Sequence, residues 1–262
     1  MVGATASPSR TLGERAAGAL RNPAILRLTS SIVAAVITGI AVGGVGARLV
    51  MRLSAIATDD SRIGMITSNG NRVGAITGPG TVGLVLFVGV AAGLATGVFL
   101  FALRSVLPAR SLPLGVSIVV LGLGSATVID PGNPDFTILG DRALNVAMFV
   151  ALFPLFACGS VWLAERFDRW LVRPPLVRRA PMILAGTAGA CLLGVFGTGI
   201  LAAAAGPIGG TAVVIVAVLG SASAFTRGSA ALGLRRAALA ALAIGTAAGL
   251  ASFVRNVEAI LG

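Results

Sequence analysis

Seven apolar runs divide this chain, at approximately residues 31–56, 82–103, 112–129, 143–164, 182–204, 208–226 and 237–254. Each is near or above the roughly 18–20 residues that an α-helix needs to cross bilayer hydrocarbon. Lipid offers no partner for backbone N–H and C=O groups, so such runs read as helices that satisfy those groups internally. The charged share, 11%, is about half that of a soluble domain, and the apolar runs leave no room for a water-soluble unit. The expected fold is an all-α membrane protein, a bundle of about seven transmembrane helices over residues 30–262 behind a basic N-terminal tail, 1–29. The run 237–254 is mostly alanine, and six spans with an interfacial C-terminal helix is the alternative count.

Arginine sets the expected orientation. All twenty basic residues are arginine and the net charge is +11. With the N-terminus inside, fourteen arginines fall on inner segments (10, 15, 21, 27, 104, 110, 166, 169, 173, 178, 179, 227, 235 and 236) and six on outer ones (48, 52, 62, 72, 142 and 255). The bias holds at every loop and predicts a cytoplasmic N-terminus and an extracytoplasmic C-terminus. It also accounts for the basic excess without nucleic acid as a partner. The tail is too polar for a signal peptide. Its run Thr11–Arg27, with Leu12, Ala16, Ala19 and Leu20 near one face, reads as a solvated segment, with a helix lying on the inner leaflet as the alternative.

Small residues recur four apart within the spans: Gly39 and Gly43, then Gly89, Gly93 and Gly97, then Gly186, Ala190 and Gly194, then Gly245 and Gly249. This spacing lets two helix backbones approach closely in lipid. Two connections stand out on the outer side. Ile63, Met65 and Thr67, followed by Val73, Ala75 and Thr77, alternate around Asn69-Gly70 and predict a β-hairpin over 62–77. The segment Asp-Pro-Gly-Asn-Pro-Asp, 130–135, is a rigid turn, and Pro154 is expected to kink the helix after it. Together the two connections would form a small extracytoplasmic cap. On the inner side, residues 165–181 are strongly basic, Trp162 and Trp170 bracket the interface, and Glu165 with Arg169 forms an i,i+4 pair.

Chemistry is limited by what is absent. Without histidine there is no Ser-His-Asp or Cys-His dyad and no imidazole metal site. Cys158 and Cys191 fall in apolar runs as small hydrophobes, so no catalytic residue, metal or cofactor is expected. The central parts of the runs lack acids, whereas ion-coupled carriers usually place ionisable groups at mid-membrane. What stands out is a polar cluster on the outer face: Arg48 and Arg52, one turn apart, with Asp130, Asp135, Asp141 and Asn145. The bland account is two arginines snorkelling to headgroups. The sharper one is a shared outer mouth where the arginine forks hold a phosphate or carboxylate.

The pieces GARLVMRL, SNGNRVGAIT and VIDPGNPDF, with LNVAMF following, resemble an uncharacterised group of actinobacterial multi-pass membrane proteins over roughly residues 40–170. The resemblance implies a bacterial plasma-membrane location and carries no activity with it. The expected function is therefore a non-enzymatic structural, partner-binding or lipid-binding membrane protein that uses the outer cluster. Membrane lipids are the expected partners, with a protein partner at the cap or at loop 165–181. A small-solute transporter or channel-like permease is the alternative, and a lipid-modifying enzyme a distant third. Reporters fused after residues 70 and 136 are expected to be active only on the extracytoplasmic side. Cytosolic activity at either site would reverse the topology.

Overall fold

A computed structural model describes residues 11–58, 63–66 and 78–262. These are almost wholly helical, with no strand among the described residues. The hairpin expected over 62–77 lies for the most part outside them. The long elements are α1 (Leu12–Leu20), α2 (Pro23–Ile56), α3 (Gly78–Val106), α4 (Leu112–Val128), α5 (Arg142–Leu171), α6 (Ala180–Ala204), α7 (Gly206–Phe225) and α8 (Gly228–Leu261). Among the described residues, six of them, α2, α3 and α5 to α8, are long and apolar enough to cross a membrane. The ranking of the weakest spans differs from the sequence reading. The alanine-rich α8 is a continuous helix of 34 residues, because alanine is the best helix former and nothing interrupts it. The short one is α4, with 17 residues.

Local sequence explains the starts and stops. Thr11 and Glu14 form a reciprocal capping box on α1, and buried Leu20 seats that helix against α6. Asn22 caps α2 through its side chain, with Pro23 at the first helical position. Residues 11–29 are therefore built into two helices rather than trailing from the bundle. Pro154 lies inside α5, which continues through it, and residues 165–171 extend that helix instead of forming a loop. Between α6 and α7 the chain reverses at Gly206, whose φ of +75° suits a residue without Cβ.

Six helices close a ring in the order α2, α5, α4, α8, α7, α3, and α6 leans on α3 and α7 from outside. The core inside the ring draws Ala34 from α2, Leu100 and Leu103 from α3, Val116 and Leu123 from α4, Ala157 and Val161 from α5, Val216 from α7 and Leu242 from α8. Large apolar side chains also cover the exterior. On α6, Leu192 and Phe196 are 76% and 73% exposed, an arrangement that suits hydrocarbon and would be a liability in water.

The glycine spacing works as expected along the α2–α3 seam. A Cβ on Gly93 would meet the Ala35 carbonyl oxygen and Val36 Cα at 2.8 Å, and one on Gly97 would meet Ile32 Cα at 2.7 Å. Gly39 abuts the carbonyl of Gly89, and Gly249 of α8 abuts that of Gly122 in α4. The α6 stripe engages only in part: Gly194 sits on Leu94 of α3, while a Cβ on Gly186 would meet nothing. The seam also contains two π-helical stretches packed on each other, Gly39–Gly46 of α2 and Leu84–Ala91 of α3. Substituting Gly93→Val should destabilise the bundle by about 1–3 kcal/mol, read as a shifted midpoint of SDS unfolding in mixed micelles. Gly186→Val should stay within about 0.5 kcal/mol of the parent.

Candidate functional site

The six residues singled out from the sequence lie on two adjoining pieces, the last turns of α2 and the segment that leads into α5. Short polar contacts stitch these pieces together. Thr58 Oγ1 donates to the Ser54 carbonyl at 2.7 Å and accepts from Gly140 N at 2.8 Å. Gly140 has φ +37°, and a Cβ there would crowd the carbonyl oxygens of Ser54 and Ala57 at 3.1 and 3.2 Å. Further down, Gly46 of α2 faces Leu152 of α5, and Thr38 faces Gly159. This antiparallel register sets Asn145 level with Arg52.

The segment 129–141 is held from several sides. Asn256 Nδ2 of α8 donates to the Ile129 carbonyl at 2.7 Å, and Arg142 Nη1 donates to that of Ile260 at 3.3 Å. Phe136, Val146, Ile129 and Ile260 form a small apolar cluster beneath it, with Phe136 edge-on to Phe149 at 5.9 Å. Two of the carboxylates serve the backbone here. Asp130 Oδ1 accepts from Gly132 N at 2.9 Å within the turn, and Asp141 Oδ1 accepts from Leu144 N at 2.7 Å as the N-cap of α5. Asp135 opens a short helix, Asp135–Ile138, its own N–H donating to Asn133 Oδ1 at 2.9 Å. Asn145 is buried and donates from Nδ2 to the Leu139 carbonyl at 2.5 Å, while its Oδ1 receives no hydrogen bond.

The arginines differ from each other. Arg52 is exposed and makes contacts of its own. Arg48, one turn deeper, has Nε and Nη2 buried without a hydrogen-bond partner. Ser54 Oγ is likewise buried and unpartnered. The structure therefore gathers the predicted residues at one end of the bundle, and it assigns Asp130 and Asp141 to turn and cap duties.

A second polar cluster, at the opposite end, escaped the sequence reading. Arg104 of α3 and Asp168 of α5 form an ion pair, Nη2 to Oδ2 at 2.5 Å, with the arginine side chain only 7% exposed. The Arg104 Nη1 group also donates to Ser30 Oγ at 3.0 Å and to Ser31 Oγ at 3.1 Å, and Ser30 Oγ donates to Asp168 Oδ1 at 2.5 Å. Three helices, α2, α3 and α5, thus meet at one guanidinium. Asp168 and Arg104 read from the sequence only as loop charges. A signal was present nonetheless. Ala157, Val161, Ala164 and Leu171 are buried, and Asp168 falls on the same three-and-four spacing, so that spacing points the acid inward. Among the described residues Glu165 forms no ion pair with Arg169; the acid of this segment that finds an arginine is Asp168.

No protein-family model, curated protein or solved structure matches this chain. The geometry is accordingly the ground for a functional reading. Removing one partner of a buried pair leaves the other charge unmatched. Arg104→Ala and Asp168→Asn should each cost about 2–4 kcal/mol, with Asp168, the more exposed partner, at the lower end. The double variant should cost less than the sum of the two in the same SDS titration.

Proposed function

We propose that this protein is a seven-pass, non-enzymatic membrane protein that binds a partner or lipid at its Asp141 end. The observation that carries the reading is the closed, glycine-seamed core. Helix backbones touch at Gly93, Gly97 and Gly249. A cavity at the centre, lined by Ala35, Thr96, Phe99, Leu103, Val116 and Ser160 among others, has about 10 Å³, the space of a single water. A carrier needs a polar path and a site near mid-membrane; among the described residues, a central cavity with room for one water favours the binding reading.

Seven passes are supported by α4. Its first residue comes just after Arg110, at the end that carries Arg104, and its carboxyl end at Ile129 is tied to Asn256 at the other. At 1.5 Å per residue, 17 residues reach about 26 Å, close to the ~30 Å of the hydrocarbon core. In this arrangement the arginine-rich end faces the cytosol and the Asp141 end faces outward, in a bacterial plasma membrane as the motif resemblance implies. The polar contacts at the Asp141 end hold backbone and caps in place, an arrangement that suits a fixed binding surface.

The permease alternative draws on one feature, the paired π-helical stretches of α2 and α3, since such stretches often sit where a helix bends or moves. Flux separates the two readings. Full-length protein in liposomes loaded with a pH dye and a potassium-sensitive dye is expected to leak no faster than protein-free liposomes. Saturable, protein-dependent flux would replace the binding reading with the permease. The binding reading further expects a defined lipid or protein to co-purify from native membranes.

A further inference from the structure

Arg48 is the one charged side chain among the described residues with buried nitrogens that lack a hydrogen-bond partner. It stands two residues beyond the π-helical stretch Gly39–Gly46 on α2, with Nε and Nη2 buried and without partners. Arginine keeps its charge in proteins, so burial of these donors is costly unless an acceptor is supplied. The two orphaned nitrogens are a meaningful pair. The N–H bonds of Nε and Nη2 run parallel along one edge of the guanidinium, the edge that a two-oxygen anion takes side-on.

The surroundings indicate which anion. Of the three acids that the sequence sets beside the arginines, Asp130 and Asp141 already accept from Gly132 N and Leu144 N, and Asp135 has an interaction of its own. Along α2, exposed apolar side chains lie on both sides of Arg48: Val45, Leu49, Leu53 and Ile56. That flanking places Arg48 within the lipid-covered length of the helix. It lies eight residues short of Ile56, about 12 Å below the helix end, and a long arginine side chain spans part of that depth toward the headgroups. In a phospholipid bilayer the headgroup phosphate is the anion that lies nearest to the end of that reach.

We propose that Arg48 is the binding residue for a phosphate-type oxyanion, taken side-on by Nε and Nη2, which makes the binding reading above specific and rests on it. The phosphate is either the diester of a phospholipid headgroup or a free phosphate group that enters from the same side. In both cases the guanidinium edge recognises two oxygens on one phosphorus, and Lys, a point charge with no parallel edge, is a poor replacement.

The test uses delipidated full-length protein in a neutral detergent and tracks Tm during titration with dioctanoyl phosphatidylglycerol, dioctanoylglycerol or inorganic phosphate. The expected result is a saturable rise in Tm with the phospholipid and none with the phosphate-free glycerolipid. Arg48→Gln should weaken the apparent affinity by about tenfold or more. Arg255→Gln, a charge removed at the same end of the bundle, should stay within about twofold. Inorganic phosphate that reproduces the rise, and loses it in Arg48→Gln, assigns a free-phosphate site; a rise seen with the lipid alone assigns a headgroup site.

The proposal is overturned if neither phosphate compound raises Tm. It is equally overturned if Arg48→Gln titrates like the parent, or if Arg255→Gln loses as much as Arg48→Gln. Should Arg48→Gln fail to fold, Arg48→Lys keeps the charge and loses the parallel edge. An affinity about threefold to tenfold weaker is then expected, and equal affinity overturns the proposal. Flux through the bundle is read in a separate assay, so a failure of the closed-core reading is told apart from a failure of the phosphate site.

Discussion

Backbone contact between helices in a medium that gives no hydrophobic reward for association is the constraint on which this architecture depends. In lipid, an apolar side chain gains little by leaving hydrocarbon for a protein interior, so helices are held by dispersion at close range and by a few polar contacts. The α2–α3 seam supplies the first kind. Gly93 lies against Ala35 and Val36, and Gly97 against Ile32, at separations that a side chain would prevent. The Arg104–Asp168 pair with Ser30 and Ser31 supplies the second, at one end of the same helices. Between them they join α2, α3 and α5, and α4, α7 and α8 complete the ring.

The two polar clusters are built differently. Around Arg104 the ion pair is matched on both sides, and the serine hydroxyls complete its shell. At the Asp141 end the carboxylates of Asp130 and Asp141 are engaged by backbone N–H groups, while Arg48, Asn145 Oδ1 and Ser54 Oγ keep buried capacity. A fully matched buried network holds helices together, whereas an under-matched one invites something from outside the chain. That contrast, rather than the number of charges at either end, is why the functional reading rests on the Asp141 end.

Much of the fold was legible because lipid makes helix length and apolar composition nearly synonymous. The runs beginning near residues 143, 182 and 208 correspond closely to α5, α6 and α7. Boundaries were harder to read: α2 begins at Pro23 because Asn22 caps it, a local signal masked by the arginines around it. The glycine spacing was informative for α3 and misleading for Gly186, because spacing marks a face that can be approached and not the helix that approaches it. The orphaned edge of Arg48 could not be anticipated. A π-helical turn takes up one residue more than an α-turn and rotates the residues beyond it by about 100°, so α-helical phase carried across Gly39–Gly46 misplaces Arg48. Nor could the Arg104–Asp168 contact be read as a pair, since its partners belong to different spans and both sit in segments whose charge already had a topological explanation.

The ion pair also carries a consequence for biogenesis. Arg104 and Asp168 are 64 residues apart in the chain. On the ribosome, α2 and α3 therefore emerge and enter the bilayer before the acid that will neutralise Arg104 has been synthesised. Until α5 arrives, that guanidinium has only water, headgroups and two serines for company, which keeps this end of the hairpin at the membrane surface. The late aspartate then acts as a latch, closing a three-helix unit in the order in which translation delivers its parts.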